Sequence, residues 1–128
     1  MANRKSLWIT RRLSEKTLER AQIDYDCVIN FDDLPISQQE LAERSSEFDA
    51  ILPCHSEIFK GDLVQQLHPR VKIIANHSVG TDHCEINALK ARGITITNTP
   101  DVLSDATAEI AFLLMLGAAR RAIEGDAL

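Results

Sequence analysis

Short apolar blocks of two kinds alternate along this chain. SLWIT (Ser6–Thr10), YDCVINF (Tyr25–Phe31), DAILPC (Asp49–Cys54), VKIIANH (Val71–His77) and ITITNT (Ile94–Thr99) are compact runs rich in β-branched and aromatic residues, the pattern of strands. The apolar centre of the fourth run is continuous, as expected of a strand covered on both faces. Between the runs lie stretches that read as helices. Ser14 followed by Glu15 opens the first, and Ser37 followed by Glu40 forms a capping-box pattern that opens the second, which runs to about Phe48. Gly61–Leu67 reads as a short helix. Asp82 with Glu85 forms another capping-box pattern, for a helix ending at Gly93. Pro100 interrupts the rhythm. Ser104 or Asp105 then caps a last helix that reads unbroken to Leu128.

Strand–helix alternation implies right-handed βαβ units and a parallel sheet. Five units predict an α/β, flavodoxin-like domain over residues 1–103 with strand order 2-1-3-4-5, followed by the long helix over residues 104–128. In this order the chain reverses between strands 1 and 3, and ligands sit beyond the carboxyl ends of the strands there. Arg11-Arg12, Cys54-His55-Ser56 and the segment Asn76–Gly80 are the loops that arrive at that edge.

The last helix carries the strangest pattern. Ile110, Phe112, Leu113, Leu114, Met115 and Leu116 fall within two turns and point in all directions around its axis. Such a helix is buried on every side. One small sheet covers only one side of it, so the pattern predicts a further covering element, either another domain or a second copy packed through residues 104–124. The same apolar run is too short to span a bilayer.

Composition narrows the partners. A length of 128 residues suffices for one domain with its own core, and 45% hydrophobic with 26% charged residues is ordinary for a globular protein. The net charge of -5 argues against nucleic acid as a main partner. The opening residues carry positive charge without an apolar stretch, so no signal peptide is read, and a cytoplasmic location is expected. The three cysteines, Cys27, Cys54 and Cys84, have no C-x-x-C spacing, which suits reduced thiols.

The loop after strand 4 has two readings. Successive N–H groups of Ser78, Val79 and Gly80 can converge into a nest that binds a carboxylate. Alternatively, Gly80 only satisfies the geometry of a βα turn. Cys54, His55, His77, His83 and Cys84 gather near the same edge, but none has the tight paired spacing of a zinc site, and no metal is expected. Cys54 and His55 are sequence neighbours whose side chains are expected to point apart, which disfavours a Cys–His nucleophile. Arg11 and Arg12 offer charge for binding an anion, but solvated surface arginines are the commoner outcome and the reading adopted. A phosphoreceiver would need acidic residues after strand 1, an Asp ending strand 3 and a Lys after strand 5. The chain has Arg11-Arg12, Pro53-Cys54 and Thr99-Pro100 instead. RRLSEK is likewise no flavin phosphate loop.

The segment KIIANHSVGTDHCEINALKARGITITNTPDVLSDATAEIAFLLMLGAARRAIEGD, Lys72 to Asp126, carries N-H-S-V-G-x-D-H, K-A-R-G-I, N-T-P-D-V-L and T-A-E in that order. It resembles the D-isomer-specific 2-hydroxyacid dehydrogenases, nearest to their glyoxylate/hydroxypyruvate reductase branch. Before Lys72 the likeness rests on strand rhythm and length. The resemblance implies a two-domain enzyme in which the flavodoxin-like part binds substrate and a Rossmann part, inserted after a linking helix, binds NAD or NADP. It implies that Ser78, Val79 and Gly80 hold the substrate carboxylate by their N–H groups, and that Cys54 and His55 face it from the other side. It also implies that Thr107 lies near the nicotinamide and that Asp82 is a structural cap.

The five glycines, Gly61, Gly80, Gly93, Gly117 and Gly125, cannot make G-x-G-x-x-G, because no two are separated by a single residue. The family's catalytic Arg, Glu and His have no counterparts here either, so no catalytic role falls on the histidines of this chain. The expectation is therefore the substrate-binding half of an NAD(P)-dependent dehydrogenase acting on a small 2-keto or 2-hydroxy acid. By itself it would be inactive and bind no cofactor tightly. The alternative is a stand-alone carboxylate-binding or interaction module derived from that domain.

Overall fold

In the computed structural model, which describes residues 4–126, five parallel strands form one sheet in the order β2-β1-β3-β4-β5, as expected. The strands are β1 Ser6–Ile9, β2 Asp26–Ile29, β3 Ala50–Leu52, β4 Ile73–Ala75 and β5 Thr95–Thr97. The helices are α1 Glu15–Asp24, α2 Gln38–Arg44, α3 Asp62–Gln66, α4 Ile86–Ala91, α5 Ser104–Ala119 and α6 Ala122–Asp126. A 3₁₀ turn, Ser45–Glu47, closes α2 earlier than the sequence pattern suggests.

Alternation along the strands divides the core in two. Trp8, Ile51 and Ile74 point to one face, where they pack with Leu41, Phe48, Phe59, Leu63, Leu67 and Leu89 of the segments crossing it. Trp8 stacks on Phe48 with ring centroids 5.1 Å apart, and the Arg44 guanidinium lies 4.7 Å from the centre of the Trp8 ring. Leu7, Ile9 and Ala50 point to the other face, a thinner layer closed by Leu18 of α1. β4 is consequently not covered equally on both sides. Ile74 is fully buried, whereas Ile73 and Ala75 remain half-exposed.

Caps appear at two of the expected places. Ser14 Oγ accepts the Thr17 N–H at 3.4 Å, and Ser37 Oγ accepts the Glu40 N–H at 3.1 Å. The Ser37–Glu40 box is only half made, since the Glu40 carboxylate pairs with Arg44 instead. Asp82 does not cap α4. The Cys84 N–H closes a turn onto the Thr81 carbonyl, Cys84 bridges to Phe59, and α4 starts beyond Glu85. The Glu85 carboxylate turns outward to accept the N–H of Gly61 at 3.0 Å, where φ is +57°. Neither Ser104 nor Asp105 caps α5: Leu103 occupies the cap position and no side chain bonds there.

The last helix is interrupted. α5 ends at Ala119, Arg121 adopts φ +51°, and a short α6 follows the break. No residue of α5 is buried. Phe112 is 63% exposed, Leu116 64% and, on α6, Ile123 88%. The sheet covers none of this apolar surface, less than the one side expected of it. Among the described residues no helix is long and apolar enough to cross a membrane.

Candidate functional site

The carboxyl ends of the strands are tied to one another before any side chain reaches solvent. The Thr10 N–H donates to the Leu52 carbonyl at 3.1 Å, His77 N–H to Pro53 at 2.8 Å, Asn76 N–H to Thr97 at 2.9 Å and Thr99 N–H to Ser78 at 2.9 Å. These bonds fix the loops after β1, β3, β4 and β5 in one frame. A cleft of about 510 Å³ opens between them, lined by Cys54, His55, His77, Ser78, Val79, Gly80, Asp82, His83 and Leu103. The structure thus brings five of the six sequence-derived site residues to one cleft. The sixth, Thr107, lies one turn along α5 from Leu103, with its N–H bonded to the Leu103 carbonyl, and is exposed outside the lining.

One wall of the cleft is the segment Ser78–Gly80. All three of its carbonyls are engaged: that of Ser78 accepts Thr99 N–H, that of Val79 accepts Asn98 Nδ2 at 2.8 Å, and that of Gly80 accepts Ser78 Oγ at 2.8 Å. Among the described residues no acceptor takes the N–H groups of Ser78, Val79 or Gly80. Gly80 does not sit in the left-handed region, and a Cβ there would meet nothing closer than Asp82 Oδ2 at 3.6 Å. Backbone geometry therefore does not require the glycine, contrary to the turn-only reading.

The other wall is Cys54 and His55. Their side chains do not point apart. Cys54 Sγ lies 3.5 Å from His55 Nδ1, and the thiol donates to the His77 carbonyl at 3.3 Å, across to the loop after β4. Behind the lining residue His83 lies the buried Asn76, whose Nδ2 donates to the Thr97 carbonyl at 3.0 Å. This leaves Asn76 Oδ1 facing His83 Nε2 at 2.9 Å, so that ring nitrogen carries the proton. Burial, with His55 nearby, pushes the His83 pKa below its ordinary value and favours a neutral ring. Cys84, also bonded toward Asn76 Oδ1, is raised by burial and stays a thiol at neutral pH. Among the described residues no group of three or more His, Cys, Asp or Glu side chains converges to hold a metal ion.

Several contributors escaped the sequence reading. Arg11 is not a solvated surface arginine. Its guanidinium pairs with Asp33 through Nε at 2.8 Å and NH2 at 3.3 Å, and its NH1 donates to Ser56 Oγ at 2.8 Å. Asp33, at φ +55°, also accepts the Arg12 N–H, and these bonds hold its carboxyl at about 2. Glu57 is buried beneath the β3 loop and accepts hydrogen bonds from Thr10, Cys54 and Ser56. In sequence a single Glu among polar loop residues looks like a solvated charge, and only the partner set reveals otherwise.

The fold and this cleft define the class of molecule: a doubly wound parallel domain with a cleft at the carboxyl ends of its strands, walled by the loops after β3 and β4. Residues 7–124 match the D-isomer specific 2-hydroxyacid dehydrogenase catalytic domain, and the chain belongs to that family. The match takes in the segment before Lys72, where the sequence alone offered only strand rhythm. Glycerate dehydrogenase of Hyphomicrobium methylovorum is 39% identical over 97% of this chain and 38% of its own length. Glyoxylate reductase of Pyrococcus horikoshii is 35% identical over 94% of this chain and 36% of its own length. The crystal structure of a Polaromonas protein assigned as an NAD-binding D-isomer specific 2-hydroxyacid dehydrogenase superposes with TM-score 0.84 at 33% identity, covering 97% of this chain and 39% of that one. The chain therefore spans well under half the length of the relatives it matches.

The residues present do not fit a dinucleotide. No strand here runs into a glycine-rich loop of G-x-G-x-x-G spacing. Thr107 alone offers no phosphate or ribose site, so no step of the chemistry is routed through NAD(P) on this chain.

Proposed function

We propose that this chain is the substrate-binding part of an NAD(P)-dependent D-2-hydroxyacid dehydrogenase that interconverts a small 2-keto acid, such as glyoxylate or hydroxypyruvate, and its 2-hydroxy acid. The observation that carries the reading is the row of three N–H groups at Ser78, Val79 and Gly80, left without acceptors while their carbonyls are engaged. They form a cradle for the substrate carboxylate. Cys54 and His55 form the facing wall and limit the size of the group on the 2-carbon. Residues 1–103 act as the binding domain, and α5 with α6 acts as the linking segment. Thr107, one turn beyond Leu103, approaches the nicotinamide end of a cofactor that a second, Rossmann domain holds. That domain, or a second copy of the chain, covers α5. The acid–base groups and the hydride donor come from protein outside these residues, so this chain alone turns nothing over and binds NAD(P)H weakly or not at all.

An amide-shift titration of the 128-residue chain with glyoxylate or oxalate tests this. Without a closing domain the ligand stays hydrated, so binding is expected in the millimolar range, about 4 kcal/mol. Shifts are expected at Ser78, Val79 and Gly80. Shifts confined to other residues would misplace the site, and reduction of glyoxylate by this chain would overturn the division of labour.

A further inference from the structure

We infer that Glu57 is the positioning residue of the cleft, the group that fixes the Cys54–His55 wall opposite the carboxylate cradle; the inference rests on the carboxylate reading of Ser78–Gly80. Glu57 is 1% exposed, the one charged side chain buried among the described residues. A carboxylate in such a place costs stability unless each oxygen is hydrogen-bonded, and an apolar residue of the same size would avoid that cost. Here both oxygens are satisfied. Oε2 accepts Thr10 Oγ1 at 2.9 Å and the Cys54 N–H at 2.9 Å, and Oε1 accepts Ser56 Oγ at 2.8 Å. None of the donors is a cation. The Arg11 guanidinium donates to Ser56 Oγ at 2.8 Å and attracts the carboxylate by charge without a direct hydrogen bond to it.

The donors come from both loops of the switch point. Thr10 ends β1, while Cys54 and Ser56 follow β3. Glu57 thus pegs the backbone of the β3 loop to the end of β1, at the residue whose thiol lines the cleft. The Cys54 thiol in turn reaches the His77 carbonyl at 3.3 Å, next to the cradle. The backbone bonds of Thr10 to Leu52 and of His77 to Pro53 hold the loop bases, and the chain Thr10–Glu57–Cys54–His77 adds the ties that fix Cys54 itself against the cradle side. Without the peg, the Cys54 N–H loses its acceptor, the loop after β3 moves outward, and a ligand on Ser78–Gly80 loses its facing wall.

The test uses the full 128-residue chain with oxalate as the probe, followed by amide shifts, in four proteins: wild type, Glu57→Gln, Glu57→Met and Leu18→Ala. Gln keeps an oxygen for the Cys54 N–H and Thr10, and its NH2 can donate to Ser56 Oγ. Its dissociation constant is expected within about twofold of wild type. Met fills the same space without an acceptor and is expected to weaken binding about fivefold or more and to displace the Cys54 and His55 amide signals of the free protein. Leu18→Ala loosens the far face of the sheet and is expected to leave oxalate binding unchanged, so equal weakening in Leu18→Ala and Glu57→Met would mark general loosening and overturn the inference. Should Glu57→Met fail to fold, Ser56→Ala removes one exposed donor and is expected to weaken binding about twofold; no change there overturns the inference. A wild-type chain whose Ser78, Val79 and Gly80 amides ignore oxalate overturns the carboxylate reading and the role of Glu57 with it. Wild-type binding that survives Glu57→Met overturns the role of Glu57 alone.

Discussion

Gly80 carries no obligation to its own turn, and that makes it informative. Its φ is not left-handed and its Cβ position is open. Gly80→Ala should therefore change stability by no more than about 0.5 kcal/mol, since alanine also restricts the unfolded chain. The added methyl group beside the N–H row should weaken oxalate binding about fivefold, roughly 1 kcal/mol. Chemical denaturation alongside the titration separates the two effects, and a large stability loss with intact binding would return Gly80 to the role of a turn residue. Gly93 is the contrast: at φ +74° its alanine variant should cost about 1 kcal/mol without touching the ligand. Two aspartates make a pH prediction at the same scale. Asp33 is held at about 2 first by its bond from Arg11, and Asp49 at about 2 first by the Ser6 N–H, against an ordinary 3.8 for both. The folded state thus binds these protons less readily than the unfolded chain. Their stabilisation is complete above about pH 4 and is lost as the pH falls toward 2. Thermal midpoints measured between about pH 5 and pH 2 should fall less steeply in Asp33→Asn and Asp49→Asn than in wild type. Equal acid limbs would mean that the pairs do not persist in solution.

Elements were legible where one physical rule decides them, and less so where two rules compete. The order of five strands follows from apolar rhythm and handedness, and those rules had no rival here. Strand ends were over-read because pairing stops one residue past the strand: the Asn30 N–H still reaches the Ile9 carbonyl and the Asn76 N–H that of Thr97, after which the Asn30 side chain turns to the carbonyls of Thr10 and Leu34. The Ser78–Gly80 segment, whose N–H groups lack acceptors, was visible as a motif, whereas Glu57 and the Arg11–Asp33 pair were not, because tertiary partners decide whether a charge is buried. Helix starts show the same limit. Ser14 and Ser37 precede helices whose first N–H groups are free to be capped, and both caps form. At Asp82 the extended bridge between Cys84 and Phe59 wins, and the helix begins later. Ser104 lies inside α5 after Leu103. Ser14→Ala and Ser37→Ala should accordingly each destabilise the chain by about 1 kcal/mol, and Ser104→Ala by close to nothing, in urea denaturation. A Ser104→Ala cost equal to the other two would show that α5 acquires a side-chain cap in solution.

At the scale of the molecule, the unresolved energetic problem is α5. Its apolar residues face every direction, and the sheet takes up none of them. After the break at Arg121, Ile123 of α6 lines a small apolar notch with Leu113, Leu114, Gly117 and Ala118 of α5, which gives the two leucines some shelter. That shelter is partial, since Leu113 stays 63% exposed. Each large side chain left in water forgoes roughly 1.5–3 kcal/mol of burial. Six of them in sequence, Ile110 and Phe112 to Leu116, form a patch larger than isolated monomers leave exposed. In the chain by itself a second copy is the available cover, and the simplest closed arrangement pairs α5 with α5 about a two-fold axis. Sedimentation at micromolar concentration should therefore show a dimer or a concentration-dependent equilibrium, and Leu113→Lys or Leu116→Lys should shift it to monomer without loss of the sheet's thermal transition. The lysine variants separate this from a fold-back in which α6 closes over the helix. In that case the wild type sediments as a clean monomer at every concentration, the substitutions change nothing in its mass, and α5 needs no partner to be stable.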